Sequence, residues 1–73
     1  MYSKPGCHLC DIAREIILSA KSEIDFQFIE MDIEKDSELF SQYKEDIPVI
    51  YINGSFFSKY TVDKQVLTDK LSD

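Results

Sequence analysis

Two cysteines, Cys7 and Cys10, stand with two residues between them in Lys4-Pro5-Gly6-Cys7-His8-Leu9-Cys10, and the chain has no others. A helix-like apolar pattern follows them directly. Cysteines three apart at a helix start lie one turn from each other, within reach of a disulfide. Such a dithiol suits thiol–disulfide exchange, in which a thiolate attacks and its neighbour resolves the mixed disulfide. Cys7 is the expected nucleophile: free amides and the helix dipole favour negative charge at a first turn, and His8 and Lys4 supply nearby positive charge. Cys10 opens the apolar stripe and is expected to be the more buried of the two.

Competing chemistries fit less well. A closed zinc site needs four ligands, and Cys7, Cys10 and His8 are the only soft or imidazole candidates. A zinc site or iron–sulfur cluster shared between two chains, or two inert cysteines at a helix end, are the remaining readings. No metal site is expected within one chain.

Composition narrows the class. The chain has 73 residues, enough for a single domain over 1–73. A hydrophobic content of 44% supports a compact core. A net charge of −6 argues against nucleic acid or an anionic membrane as partner, since both need a basic face. No apolar run approaches a membrane span of roughly 20 residues, and the first residues lack the apolar stretch of a secretory signal. A reducing cytoplasm is the expected compartment, where a close cysteine pair is more often catalytic or metal-binding than a structural staple.

The elements that position the pair follow from apolar periodicity. Ala13, Ile16, Ile17 and Ala20 predict a helix over about 10–21, with Leu9 and Ile12 widening its stripe. Residues 26–33 read as a strand whose apolar phase slips at Ile29, a sign of burial on both faces or of a bulge. Asp36 caps a short helix over 37–44, with Leu39, Phe40 and Tyr43 as its apolar face. Residues 49–52 form a β-branched strand, Asn53-Gly54 a type I′ turn, and 55–58 the returning strand. Thr61 is the expected cap of a last helix with Val62, Val66, Leu67 and Leu71 inward. Of adjacent Phe56 and Phe57, one must point outward. The acidic run from Glu30 to Glu38 reads as a solvated connection: Ser37 stands where a calcium loop needs glycine, and Tyr43 where it needs glutamate.

The segment from Tyr2 to Asp11 resembles the active-site segment of the glutaredoxin-like branch of the thioredoxin superfamily. Ile47-Pro48-Val49 resembles that family's proline loop, and Tyr51-Ile52-Asn53-Gly54 its following hairpin. The resemblance covers essentially the whole chain. It implies an α/β, thioredoxin-like fold: a four-stranded mixed sheet flanked by three helices, the first strand truncated or very short. It implies a cis bond before Pro48, with Ile47 and Pro48 facing the cysteines and binding substrate. Lys4 matches the lysine that contacts the glutathione carboxylate, and His8 joins the substrate-binding set. The implied activity is thiol–disulfide oxidoreduction of protein or glutathione mixed disulfides through Cys7 and Cys10. It needs no bound cofactor, glutathione being a co-substrate, and is expected of a monomer whose partners are disulfide-containing proteins or glutathione. The alternative is a glutaredoxin-like binding module, iron–sulfur-binding or redox-sensing, without turnover.

Two departures stand out. The family's glycine pair and aspartate after the hairpin are replaced here by Phe57-Ser58-Lys59-Tyr60-Thr61-Val62-Asp63. The first strand, central in the implied sheet, has only Met1 to Ser3 available. The expected consequence is low stability, or a longer natural protein.

Overall fold

The computed structural model describes residues 1–72. In chain order it forms β1 (Tyr2–Ser3), α1 (His8–Lys21), β2 (Met31–Asp32), a 3₁₀ turn (Ile33–Lys35), α2 (Ser37–Tyr43), β3 (Val49–Ile52), β4 (Ser55–Lys59) and α3 (Lys64–Leu71). The strands make one mixed sheet in the order β2-β1-β3-β4. β1 runs parallel to β2 and antiparallel to β3, and β3 and β4 form a hairpin. This is the expected thioredoxin-like α/β architecture, with its short first strand at the centre.

Alternation along the strands sends side chains to opposite faces. On one face Ile50 packs with Ala13, Ile17 and Ala20 of α1 and Leu67 of α3. On the other, Tyr2 of β1 and Tyr43 of α2 pack on a second cluster of Cys10, Ile33 and Ile47. The cysteines therefore sit where α1 meets this second cluster.

Local chemistry explains most boundaries. Asn53 (φ 52°) and Gly54 (φ 83°) both take the left-handed conformation that a type I′ turn demands. The hairpin register slips between Ile50 and Tyr51, so that Ile50 faces Ser58 while Tyr51 faces Phe56. The extra residue, Phe57, packs on the α1–α3 core, whereas Phe56 is exposed. The α2 helix is capped as expected: Asp36 Oδ1 accepts from the amides of Glu38 and Leu39.

Four expectations need correction. The strand read over 26–33 is paired only at Met31 and Asp32. Its partner β1 has two residues, so the remaining positions have no ladder to join, and Ile33 passes into the 3₁₀ turn. The last helix is capped by Asp63, whose carboxylate accepts from Gln65 and Val66, and not by Thr61. Val62, just before that cap, is buried with Leu67 four positions after it, a hydrophobic staple; Val66 faces solvent. Finally, Leu9 and Ile12 are exposed. The buried stripe of α1 runs through Cys10, Ala13, Ile17 and Ala20, and Leu9 and Ile12 lie on one flank of it, about 60° and 120° from its centre.

Candidate functional site

The site starts with a glycine. Gly6 adopts φ 77°, a conformation only glycine takes without strain, and so turns the chain from β1 into the helix. Cys7 follows as the N-cap of α1, in extended conformation. Its carbonyl accepts from Asp11 (3.1 Å), and its Sγ accepts the amide of Cys10 (3.1 Å). A cysteine thus fills the role usually taken by Ser, Thr, Asp or Asn. The helix begins at His8, two residues earlier than periodicity alone predicts, because this cap organises the first turn.

Cys7 and Cys10 form a disulfide, with their Cα atoms 5.2 Å apart. The two sulfurs are not equivalent. Cys10 is fully buried, whereas Cys7 packs against the edge of the second cluster and stays partly exposed. His8 and Leu9, between them, are exposed and form a rim beside the outer sulfur.

The proline loop closes the other side. The Ile47–Pro48 bond is cis, and Ile47 shares a cluster with Cys10 while Cys7 packs against it. Pro48 is fully buried, and its carbonyl accepts the amide of Tyr60 (2.8 Å). The fold thus brings Cys7, Cys10 and Ile47 together, with Pro48 next to Ile47 in the chain.

Lys4 borders an open groove with Ser3, Pro5, Asp11, Arg14, Glu30 and Asp32. There the Arg14 guanidinium binds both oxygens of Glu30 and one of Asp11 (2.9 Å). The buried Ser3 hydroxyl donates to Glu30 (2.7 Å). The Arg14 hydrogen bonds hold the Glu30 carboxyl below its usual range, with Ser3 adding to the effect against partial desolvation. This network ties the first turn of α1 to β1 and to the approach to β2, and so fixes the platform on which Cys7 sits.

Two groups near the site were not identifiable from sequence. Tyr60 takes φ 70°, and its hydroxyl donates to the Glu45 carbonyl (3.2 Å) and Asp46 Oδ1 (3.1 Å). Asp46 also pairs with Lys59 (3.6 Å). A tyrosine at positive φ leaves no sequence signal; the absent glycine pair marked the region but not the residue. Tyr2, Tyr43 and Tyr51 form an aromatic cluster beneath the second face. Tyr2 stacks on Tyr43 at 4.7 Å and meets Tyr51 edge-on at 5.8 Å. The Tyr43 and Tyr51 hydroxyls bond at 3.2 Å. That bond and burial push the Tyr43 hydroxyl up to about 12.

Among the described residues no group of three or more His, Cys, Asp or Glu side chains is placed to hold a metal ion. No helix there is long and apolar enough to cross a membrane.

Comparison with known proteins agrees with this geometry. The glutaredoxin-like domain (DUF836) family matches residues 1–72. A curated relative, the glutaredoxin-like protein YDR286C homolog of Dictyostelium discoideum, is 34% identical over 73 residues, covering 90% of this chain and 67% of the relative. The Cys7–Cys10 pair, its helix N-terminus and the facing cis-proline loop fit a redox role, and the chain belongs to the glutaredoxin-like family.

Proposed function

We propose that the protein is a thiol–disulfide oxidoreductase acting on protein or glutathione mixed disulfides. The observation that carries this reading is the asymmetry of the pair: one sulfur partly exposed at the helix cap, its partner fully buried one turn behind.

In the reduced form, the Cys7 thiolate attacks one sulfur of a substrate disulfide. A Cys7–substrate disulfide forms, and the other substrate sulfur leaves as a thiolate that takes a proton from water. Cys10, losing its proton, then attacks Cys7 Sγ. The Cys7–Cys10 disulfide forms and the second substrate thiolate departs. Two electrons have passed from the protein to the substrate. A second dithiol, or two molecules of glutathione, returns the pair to the reduced form by the same steps in reverse.

The Cys10 amide, aimed at Cys7 Sγ, favours the thiolate through hydrogen bonding and the helix dipole. Ile47 and Pro48 form the wall along which an extended substrate lies. His8, on the rim, and Lys4, on the neighbouring groove, are the groups proposed to meet the substrate's polar ends. The reaction requires no bound cofactor, operates in a single chain and suits a reducing cytoplasm.

The test is trapping. Cys10→Ser, given a disulfide substrate, should accumulate a covalent adduct through Cys7, seen as a mass increase reversed by dithiothreitol. Cys7→Ser should form none. Reduction assays with glutathione and with a thioredoxin system then identify the electron donor. Absence of an adduct, together with no turnover in either assay, rejects the reading.

A further inference from the structure

The first turns of α1 have unlike flanks on either side of the buried stripe. On one flank Asp11 and Arg14 are tied to each other and, through Arg14, to Glu30, so these charges are matched within the chain. On the other stand Leu9, Ile12 and Ile16, at i, i+3 and i+7, a spacing that lines them up along the helix. Leu9 is 41% and Ile12 42% exposed, whereas Ile16 is partly buried and packs on the α1–α3 core. An apolar ridge thus begins between the two cysteines and runs back until it merges with the interior.

Single apolar side chains on a surface are ordinary. Position separates this ridge from them. Leu9 lies between Cys7 and Cys10, in the turn that carries the partly exposed sulfur. Whatever brings a disulfide to Cys7 comes to rest beside Leu9. Ile12 lies about 7 Å further along the axis, at 1.5 Å per residue. An extended chain advances about 3.3 Å per residue, so a side chain two or three positions from a substrate cysteine reaches it. Leu18 is the contrast. It is comparably exposed, at 49%, but sits on the Arg14 flank, about three turns from the cap.

Substrate classes differ on this point. Glutathione flanks its cysteine with a glutamyl group and a glycine, and has no apolar side chain to lay on the ridge. A polypeptide substrate supplies one wherever an apolar residue stands near its cysteine.

We propose that Leu9 and Ile12 form a docking ridge for an apolar side chain near the reactive cysteine of a protein substrate, and that the dithiol acts on proteins in preference to glutathione. This inference rests on the redox reading above and names its substrate class. Docking removes apolar surface from water on both partners, which favours the complex roughly in proportion to the area covered. It also holds the substrate sulfur at Cys7 while the mixed disulfide forms and Cys10 resolves it.

The experiment uses two short synthetic peptides and glutathione, each carrying the same chromophoric aryl thiol in disulfide linkage to its cysteine. One peptide has leucine two and three residues to either side of the cysteine; the other has serine there. The reduced protein is mixed with each, and the second-order rate constant for release of the aryl thiol is read. The leucine peptide should react about tenfold faster than the serine peptide and the glutathione disulfide. That ratio should fall to near one in Leu9→Ser/Ile12→Ser, fall part of the way in the milder Ile12→Ala, and persist in Leu18→Ser. Equal rate constants in the unaltered chain, a ratio that survives the double substitution, or a ratio lost in Leu18→Ser would each overturn the ridge alone. If the unaltered chain releases the thiol no faster than Cys7→Ser, the redox reading fails and the ridge with it.

Discussion

Tyr60 holds Asp46. The tyrosine hydroxyl donates to the aspartate carboxylate at 3.1 Å, while the tyrosine amide donates to the Pro48 carbonyl two residues further on. One side chain and its own backbone thus bracket the proline loop from both ends. Tyr60 accepts a left-handed backbone in order to do so. The clasp ties the end of β4 to the proline loop by a side-chain bond as well as a backbone one.

Tyr60→Phe removes the hydroxyl and leaves the amide bond to Pro48. The lost hydrogen bonds are solvent-accessible, so the stability change should stay within about 1 kcal/mol. Ile47 and Pro48, the loop residues proposed to meet substrate, should become less well fixed, and in a steady-state reductase assay KM should rise severalfold with kcat nearly unchanged. An equal fall in kcat would assign the tyrosine to the chemical step.

The Cys10 amide aimed at Cys7 Sγ predicts a thiolate that forms below the ordinary cysteine pKa of about 8.5. The rate of alkylation of the reduced protein by iodoacetamide, followed against pH, should show its midpoint below that value. Each unit of lowering corresponds to about 1.4 kcal/mol in favour of the thiolate. A midpoint at or above 8.5 would show that the cap does not activate the sulfur.

The Glu30 carboxylate titrates below its usual range because Arg14 binds it. A depressed carboxylate contributes stability that is present above its unfolded value, about 4.3. That contribution is lost as pH falls through the lower, folded value. Glu30→Gln should therefore lower Tm at pH 7, by a loss of about 1 kcal/mol. The gap between the two proteins should close as the pH is taken below 4. A constant gap across that range would mean that the carboxylate acts through packing and not charge.

Leu67 and Val66 are neighbours on α3 with opposite burial, Leu67 at 3% and Val66 at 55% exposure. Leu67→Ala empties the site against which Val62 packs and should cost about 2–4 kcal/mol, a large fraction of the stability of so small a domain. Val66→Ala should be close to neutral. Urea unfolding of the two variants measures the difference directly. Similar losses would place the apolar face of α3 elsewhere.

The contrast between Leu67 and Val66 also shows what could be read ahead of the structure. Asn53-Gly54, the β-branched run before it and the Asp36 cap each carry a local reason for their conformation, and each was legible. The cysteine pair was legible for the same reason: spacing alone places the two at one helix end. Residues 26–30 misled, because an alternating apolar pattern states that a segment suits a sheet and says nothing of whether a partner strand reaches it. Leu9 and Ile12 misled because an apolar residue on a helix flank is buried only if a second layer covers that flank, and the four short strands do not extend so far. The choice of Asp63 over Thr61 as cap depended on where β4 ends. Tyr60 was invisible, since its role arises from a loop twelve or more residues away in sequence.

The complete burial of Cys10 has a practical corollary. While the fold is closed, a bulky maleimide meets a single sulfur in the reduced protein, and each molecule gains one label. A second label marks a molecule whose first helix has come away from the proline loop. Label stoichiometry in crude extract, read by mass, would then count open molecules one at a time, with no purification and no spectroscopic handle, in a chain that lacks tryptophan.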